Sequence, residues 1–310
     1  MQSGGLKLNK FFKATSLVVG FLSGISVASA ADLLLDPTPV AQQPAPSQPA
    51  VAVDAVNFEF SILGGAYQRN VLGTASNAMF TGSVATPIPG FANFGAQLDG
   101  AVGVYDGDFT SAAGGLHLFY RNEKGLIGIY GDWAYTDPEH GGRVGVELSS
   151  YHDRWSVDAL LGFRFGQHFE TEFVDEVDLS YYFTDDLRFS VGHRLTSRGN
   201  VGNISFEHLL NEQGLDGFSV FGEIEAGEDD YVGGFGGIRY AFGGNANTLI
   251  ERDRQSSVQV RIPRNLASVT QCGDLDVPRP ATSLRSEQSN LCASEDQINE
   301  VSSVGISKLD

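Results

Sequence analysis

Beyond residue 30 the chain has no apolar run of the roughly 20 residues that a membrane-crossing helix needs. That excludes a helical membrane protein. A closed barrel remains as the spanning structure that satisfies its own backbone in lipid. Basic residues are also few: 20 Lys and Arg stand against 38 Asp and Glu, a net charge of −18. So acidic a chain does not bind nucleic acid by neutralising phosphates. Cysteine is limited to Cys272 and Cys292, with no C-x-x-C pair and no Cys/His cluster, so no metal and no other cofactor is expected. The stretch Gly233-Gly-Phe-Gly-Gly237 sits inside a strand pattern with no helix after it, and is therefore no phosphate loop.

What is present starts with an export signal. Lys7, Lys10 and Lys13 precede an apolar stretch from Ala14 to Val27, too short for a span, and Ala28-Ser29-Ala30 is an A-x-A cleavage site. Cleavage between Ala30 and Ala31 removes residues 1–30. Three lysines and no acid go with them, so the mature chain carries −21. Residues 31–56 hold five prolines and no Lys or Arg, which reads as an extended flexible linker. In an exported chain the two cysteines are expected to pair as Cys272–Cys292.

From Asn57 the texture becomes strict alternation. Trp155, Val157, Ala159, Leu161, Phe163 and Phe165 are interleaved with Ser156, Asp158, Gly162 and Arg164, and only Leu160 breaks the pattern. A period of two with one oily and one polar face is a strand between lipid and water. Eleven such runs lie between residues 57 and 242, most of 10–13 residues. Soluble strands average about 5–6 residues, whereas a tilted membrane strand takes about 9–11. Short polar turns such as 122–125, 151–154 and 183–186 separate them, as an antiparallel meander requires. Aromatics near the run ends (Tyr67, Tyr105, Tyr120, Tyr135, Tyr151, Trp155, Phe183, Tyr231 and Phe242) read as interfacial girdles. Bacterial barrels have an even strand count. A twelfth strand is therefore expected, either at Ala78–Thr86, which is favoured, or at Ser257–Ile262. The predicted fold is an all-β, antiparallel, up-and-down transmembrane barrel of about twelve strands over 57–242, with a small periplasmic tail over 243–310.

Gly237-Ile-Arg-Tyr240-Ala-Phe242 resembles the C-terminal insertion signal of outer-membrane proteins, although 68 residues follow it here. With the signal peptide, the Pro/Ala-rich linker and the Gly- and aromatic-rich strands, the chain resembles small outer-membrane barrel proteins of alphaproteobacteria over most of residues 1–242. The resemblance implies an outer-membrane location and no particular activity.

Function is expected on the inward face. Alternation places Glu59, Asp99, Asp132, Glu147, Asp158, Asp178, Glu207, Glu223 and Glu225 there. The same face takes Arg121, Arg143, Arg154, Arg164, Arg188, Arg194, Arg239 and His117. Such a mixed-charge lumen suits a salt-bridged, structural or surface-interaction barrel. Its surroundings would be outer-membrane lipid and lipopolysaccharide, with a periplasmic partner for the tail. A small channel is the alternative. Residues 57–242 carry 10 Lys and Arg against 26 acids, so it would prefer cations. A barrel hydrolase is a third reading, through His193 with Ser197, or through His152 with Asp153 and Asp158. Oligomeric state and solute are not legible. N-terminal sequencing of the membrane-extracted protein is expected to begin at Ala31; a retained Met1 would remove the export argument.

Overall fold

The computed structural model describes residues 51–69, 73–105, 109–136, 139–166, 171–196, 199–211, 214–228 and 231–264. The signal peptide, the Ala30/Ala31 junction, the linker up to residue 50 and both cysteines lie outside the described residues.

Twelve strands form a wall: β1 (Asn57–Arg69), β2 (Gly73–Ile88), β3 (Phe91–Tyr105), β4 (Phe109–Asn122), β5 (Gly125–Thr136), β6 (Glu139–His152), β7 (Trp155–Gly166), β8 (Glu172–Thr184), β9 (Leu187–Thr196), β10 (Gly199–Leu209), β11 (Phe218–Gly227) and β12 (Val232–Gly243). Each pairs antiparallel with the next, and β12 pairs with β1, with Phe58 opposite Phe242 and Ile62 opposite Ile238. The sheet is closed and has no edge. Strand β2 is the expected twelfth strand, and it covers the favoured Ala78–Thr86 segment. Both ends of the wall emerge at the same mouth, called here the terminal mouth. The connections at the opposite mouth are only two to five residues long, among them 137–138 and 167–171.

The faces follow the alternation. On β1, Ile62 is 69% exposed while its neighbours Ser61 and Leu63 are 3% and 5% exposed. The outward face is a belt of Ile, Val, Leu and Phe. Its rim at the terminal mouth is aromatic: Phe60, Phe242, Tyr240 and Phe218 stack in sequence across the β12–β1 seam. Trp155, Tyr181, Phe183 and Phe189 continue the same rim. So wide an exposed apolar surface is stable only against lipid. Gly237 of the insertion-signal motif faces inward, where a Cβ would meet the Leu63 Cα and Cβ at 2.9 Å; glycine lets the seam strands close. Four of the expected girdle aromatics point the other way. Tyr67, Tyr105, Tyr151 and Tyr231 are buried inside, where the Tyr231 hydroxyl donates to Glu225, a partner that lipid lacks. Leu160, the break in the β7 pattern, is buried in the lumen against Gly145.

The larger departure is at the ends of the wall. Residues expected in a tail beyond the barrel fold back into it. After β12 the chain forms helix α1 (Leu249–Gln255), opened by a capping box in which Thr248 and Glu251 bond each other's backbone N–H. It then runs extended through Ser257–Arg261, the alternative strand site, without joining the wall. The last linker residues are also inside. Ala52 and Val53 are buried against Phe119, and a Cβ on Gly95 would sit 2.7 Å from Val53 Cγ2, so glycine there makes the room. The physical reason is space. About eight strands enclose a lumen that side chains alone can fill, and twelve enclose more.

Leu161 is 42% exposed on the lipid face of β7. Leu161→Arg is expected to cost roughly 2–4 kcal/mol of folding stability in lipid vesicles, well beyond Leu161→Ala. The heat-modifiable gel shift reads this directly, and wild-type stability of Leu161→Arg would refute a lipid-facing belt.

Candidate functional site: a plugged, ion-paired lumen

The inward face carries the charges that alternation assigns to it, and the plug formed by residues 249–264 completes them. Among the described residues, eleven carboxylates lie on the inward face: Glu59, Asp99, Asp132, Glu147, Asp158, Glu172, Glu176, Asp178, Glu207, Glu223 and Glu225. Six wall guanidiniums share that face: Arg143, Arg188, Arg194 and Arg239 pair with the buried acids, Arg164 pairs with Glu172, and Arg121 donates to backbone carbonyls. The wall is therefore acid-rich by five, before His117 is counted. The plug brings four arginines, Arg252, Arg254, Arg261 and Arg264, and one inward carboxylate, Asp253.

The pairs run along the length of the plug. Arg252 reaches Glu207 at 2.5 Å, and Glu207 also takes Arg239 at 2.6 Å and Arg188 at 3.1 Å. Asp253 accepts from Arg188 and from the Tyr182 hydroxyl. Arg254 donates to the Trp155 carbonyl and to Ser156, and lies over the rings of Tyr151 and Tyr182. Val258 pairs with the Gln97 side chain as if with another strand: its N–H donates to Oε1 at 2.7 Å, and its carbonyl accepts from Nε2 at 3.0 Å. Arg261 donates to Glu176 at 2.9 Å, while its own carbonyl accepts from Arg143. Arg264 ends the described plug between Asp178 at 2.7 Å and Glu223 at 2.8 Å. Apolar contacts fix the depth. Leu249 packs on Tyr182 and Leu209, and Ile262 on Leu63, Met79, Ala101 and Ala134.

Small hydroxyl side chains make room for this traffic. Ser61, Thr81, Ser156, Ser180 and Ser190 line a cavity of about 100 Å³ left between plug and wall. A side chain of ordinary size at these points would fill the path that the plug takes.

A second cluster lies wholly in the wall. His117 is completely buried, with Nδ1 2.8 Å from Glu147 and Nε2 2.9 Å from Asp99. Each nitrogen needs a proton for both contacts to be hydrogen bonds, so the geometry is that of an imidazolium between two carboxylates. Asp99 also accepts from the Gln97 amide that holds Val258, which links this cluster to the plug.

Of the expected lumen residues, Arg154 is misplaced. It lies in the β6–β7 turn with its side chain 40% exposed, paired with Asp185 at the rim, because the strand begins one residue later. Alternation missed Glu176, Gln97 and the whole plug. The available signals were the capping-box pattern Thr248-x-x-Glu251 and four arginines between 252 and 264, in a chain poor in basic residues. The candidate hydrolase residues do not converge among the described residues. His193 is on the outward face with Asp175 and Asn200, His152 bonds Ser150 at the terminal rim, and Asp158 bonds Ser149 inside.

No protein-family model matches the chain, and no curated protein matches it. Among solved structures it is similar to the KdgM porin in complex with disordered oligogalacturonate, at 13% identity over 60% of this chain and 99% of that one, TM-score 0.47. An outer-membrane channel from Pseudomonas putida F1 shows 8% identity over 65% and 100%, TM-score 0.46. Omp33 of Acinetobacter baumannii shows 9% identity over 60% and 99%, TM-score 0.40. With these scores below 0.5 they are likenesses to barrels, and they say nothing of the alphaproteobacterial resemblance.

Glu207 is 1% exposed and anchors three guanidiniums. Glu207→Gln should lower stability by about 3–5 kcal/mol, the usual cost of leaving buried charge unpaired. Glu251→Gln, at the helix start, should cost under about 1 kcal/mol. Equal and small losses, by unfolding in vesicles, would mean that the lumen is solvated and its pairs are weak.

Proposed function

We propose that this protein is an outer-membrane channel of cation preference, held closed by its own segment Leu249–Arg264. The lipid belt and its aromatic rim suit a lipid and lipopolysaccharide surround, and the acidic chain suits export to the cell surface. The observation that carries the reading is the charge match. The wall keeps a surplus of lumen carboxylates, and the plug supplies the guanidiniums that neutralise them. A barrel whose interior served only as a structural filling needs no surplus, since facing strands can pair their own charges. With the plug withdrawn, the lumen is wide for side chains to fill and lined by excess negative charge, which concentrates cations and repels anions.

The structural reading draws on the plug's apolar contacts, which seat Ile262 and Leu249 as firmly as a core does. A surface-interaction role draws little support from the loop mouth, where connections of two to five residues offer a partner scant surface.

Planar-bilayer recording separates these. The wild-type full chain is expected to be mostly closed. The full chain with Arg252→Glu and Arg264→Glu, which turns plug attraction into repulsion, is expected to conduct, with a reversal potential in a KCl gradient showing potassium preferred over chloride. A variant that passes the folded-barrel gel shift and still fails to conduct would overturn the channel and leave the structural reading.

A further inference from the structure

The deepest part of the plug has a chemistry of its own. Arg264 ends in a cup of three carboxylates from one quarter of the wall: Glu176 and Asp178 on β8, and Glu223 on β11. One terminal nitrogen meets Asp178 at 2.7 Å and Glu176 at 3.4 Å; the other meets Glu223 at 2.8 Å and the second Asp178 oxygen at 3.5 Å. The head group thus joins β8 to β11 with its planar fork, a geometry that an ammonium point charge does not reproduce.

The wall is shaped to present Asp178. Asp178, Gly192 and Asn203 lie side by side across β8, β9 and β10. A Cβ on Gly192 would fall 2.0 Å from Asp178 Oδ1 and 2.7 Å from Asn203 Oδ1, so only glycine lets the two side chains meet across it. Asn203 Nδ2 then donates to Oδ1 at 3.1 Å, and Oδ2 is left aimed at the plug. The neighbouring acids keep wall partners when the plug is gone: Glu176 has Arg143, and Glu223 has Arg194. Asp178 instead faces donors of the plug, Arg264 at 2.7 Å and the Gln259 amide at 3.5 Å. Cavities adjoin Arg264 on two sides, one beside Ser205 and Glu207, the other beside Tyr67 and Arg194.

Apart from His117, guanidinium is the cation of the described interior. Between residues 57 and 264 the single lysine is Lys124, in a turn. Carboxylates arranged for forked donors discriminate against ammonium solutes by geometry, over and above charge.

We infer that the Glu176–Asp178–Glu223 cup is a guanidinium-binding site on the solute path, occupied from within by Arg264, and that guanidinium-bearing cations are the solute class that displaces the plug. This rests on the channel reading for the path, though not for the binding.

The test uses the full chain in lipid vesicles. Arg264→Ala empties the cup and should lower the thermal midpoint of barrel unfolding. Millimolar methylguanidinium should return it toward wild type, with an apparent affinity at least about tenfold above that of methylammonium. The same response should vanish in Arg264→Ala with Asp178→Asn. If Arg264→Ala does not fold unaided, refolding with each cation is the measurement. Recovery with methylguanidinium alone supports the site, and recovery with neither or with both equally overturns it. Proteoliposomes of wild type should admit L-arginine faster than L-lysine, and equal rates overturn the solute assignment. A reversed-charge variant that never conducts defeats the channel alone, because the unfolding midpoint reads the cup without any current.

Discussion

A carboxylate inside a closed barrel is screened by little water and has no route to the surface. It must therefore meet a cation that the fold itself supplies. Much of this molecule follows from that constraint. The wall's own arginines satisfy part of the demand, and the rest arrives from beyond β12, on a segment that follows the last strand. Helix α1 is short, seven residues, and would be marginal in water. It holds its shape through its own capping box and through ion pairs made against the wall. The glycines and serines facing the plug are the complement of the same constraint, since they provide the space in which the cations stand.

The wall was legible because lipid and lumen impose a period of two that no other environment sustains for twelve strands. Alternation sets strands at 125–135 and 172–183, within a residue of Gly125–Thr136 and Glu172–Thr184; at 94–104 and 142–151 it starts three residues inside Phe91–Tyr105 and Glu139–His152. The inward placement of His117, Asp132 and Arg143 follows from the same parity. Parity could not say that Arg154 had already left the strand. Nor could it give the direction of the tyrosines, which suit a girdle and a polar lumen equally: Tyr120 faces out while Tyr151, one strand pair away, faces in.

The plug was hidden for a different reason. Its hydrogen-bond partners in the wall are 41 to 161 residues away in the chain, as in Arg264 with Glu223 and Gln97 with Val258. No local pattern encodes such pairs. The segment alternates only through Val258, Val260 and Ile262, which on its own is indistinguishable from a stray strand. What distinguished it was the concentration of arginine after a barrel that leaves acids over, a global charge argument with no positional content. Asp178 was assigned to the lumen and Glu176 was not, yet together they seat both Arg261 and Arg264.

Arg121 donates one terminal nitrogen to the Ala52 carbonyl and the other to that of Ser257, pinning the segment before β1 and the plug with one side chain. Asp54 and Gln255 are joined by a backbone bond beside it. At the terminal mouth, then, entry and exit of the chain are tied to each other, while deeper in the lumen the described plug is held by wall side chains, apolar ones around Ile262 and carboxylates around Arg261 and Arg264. The two ends of the described plug are therefore fastened by different means. A main-chain bond such as that between Asp54 and Gln255 survives most substitutions, whereas each contact at the deeper end is a side chain that a single substitution can remove.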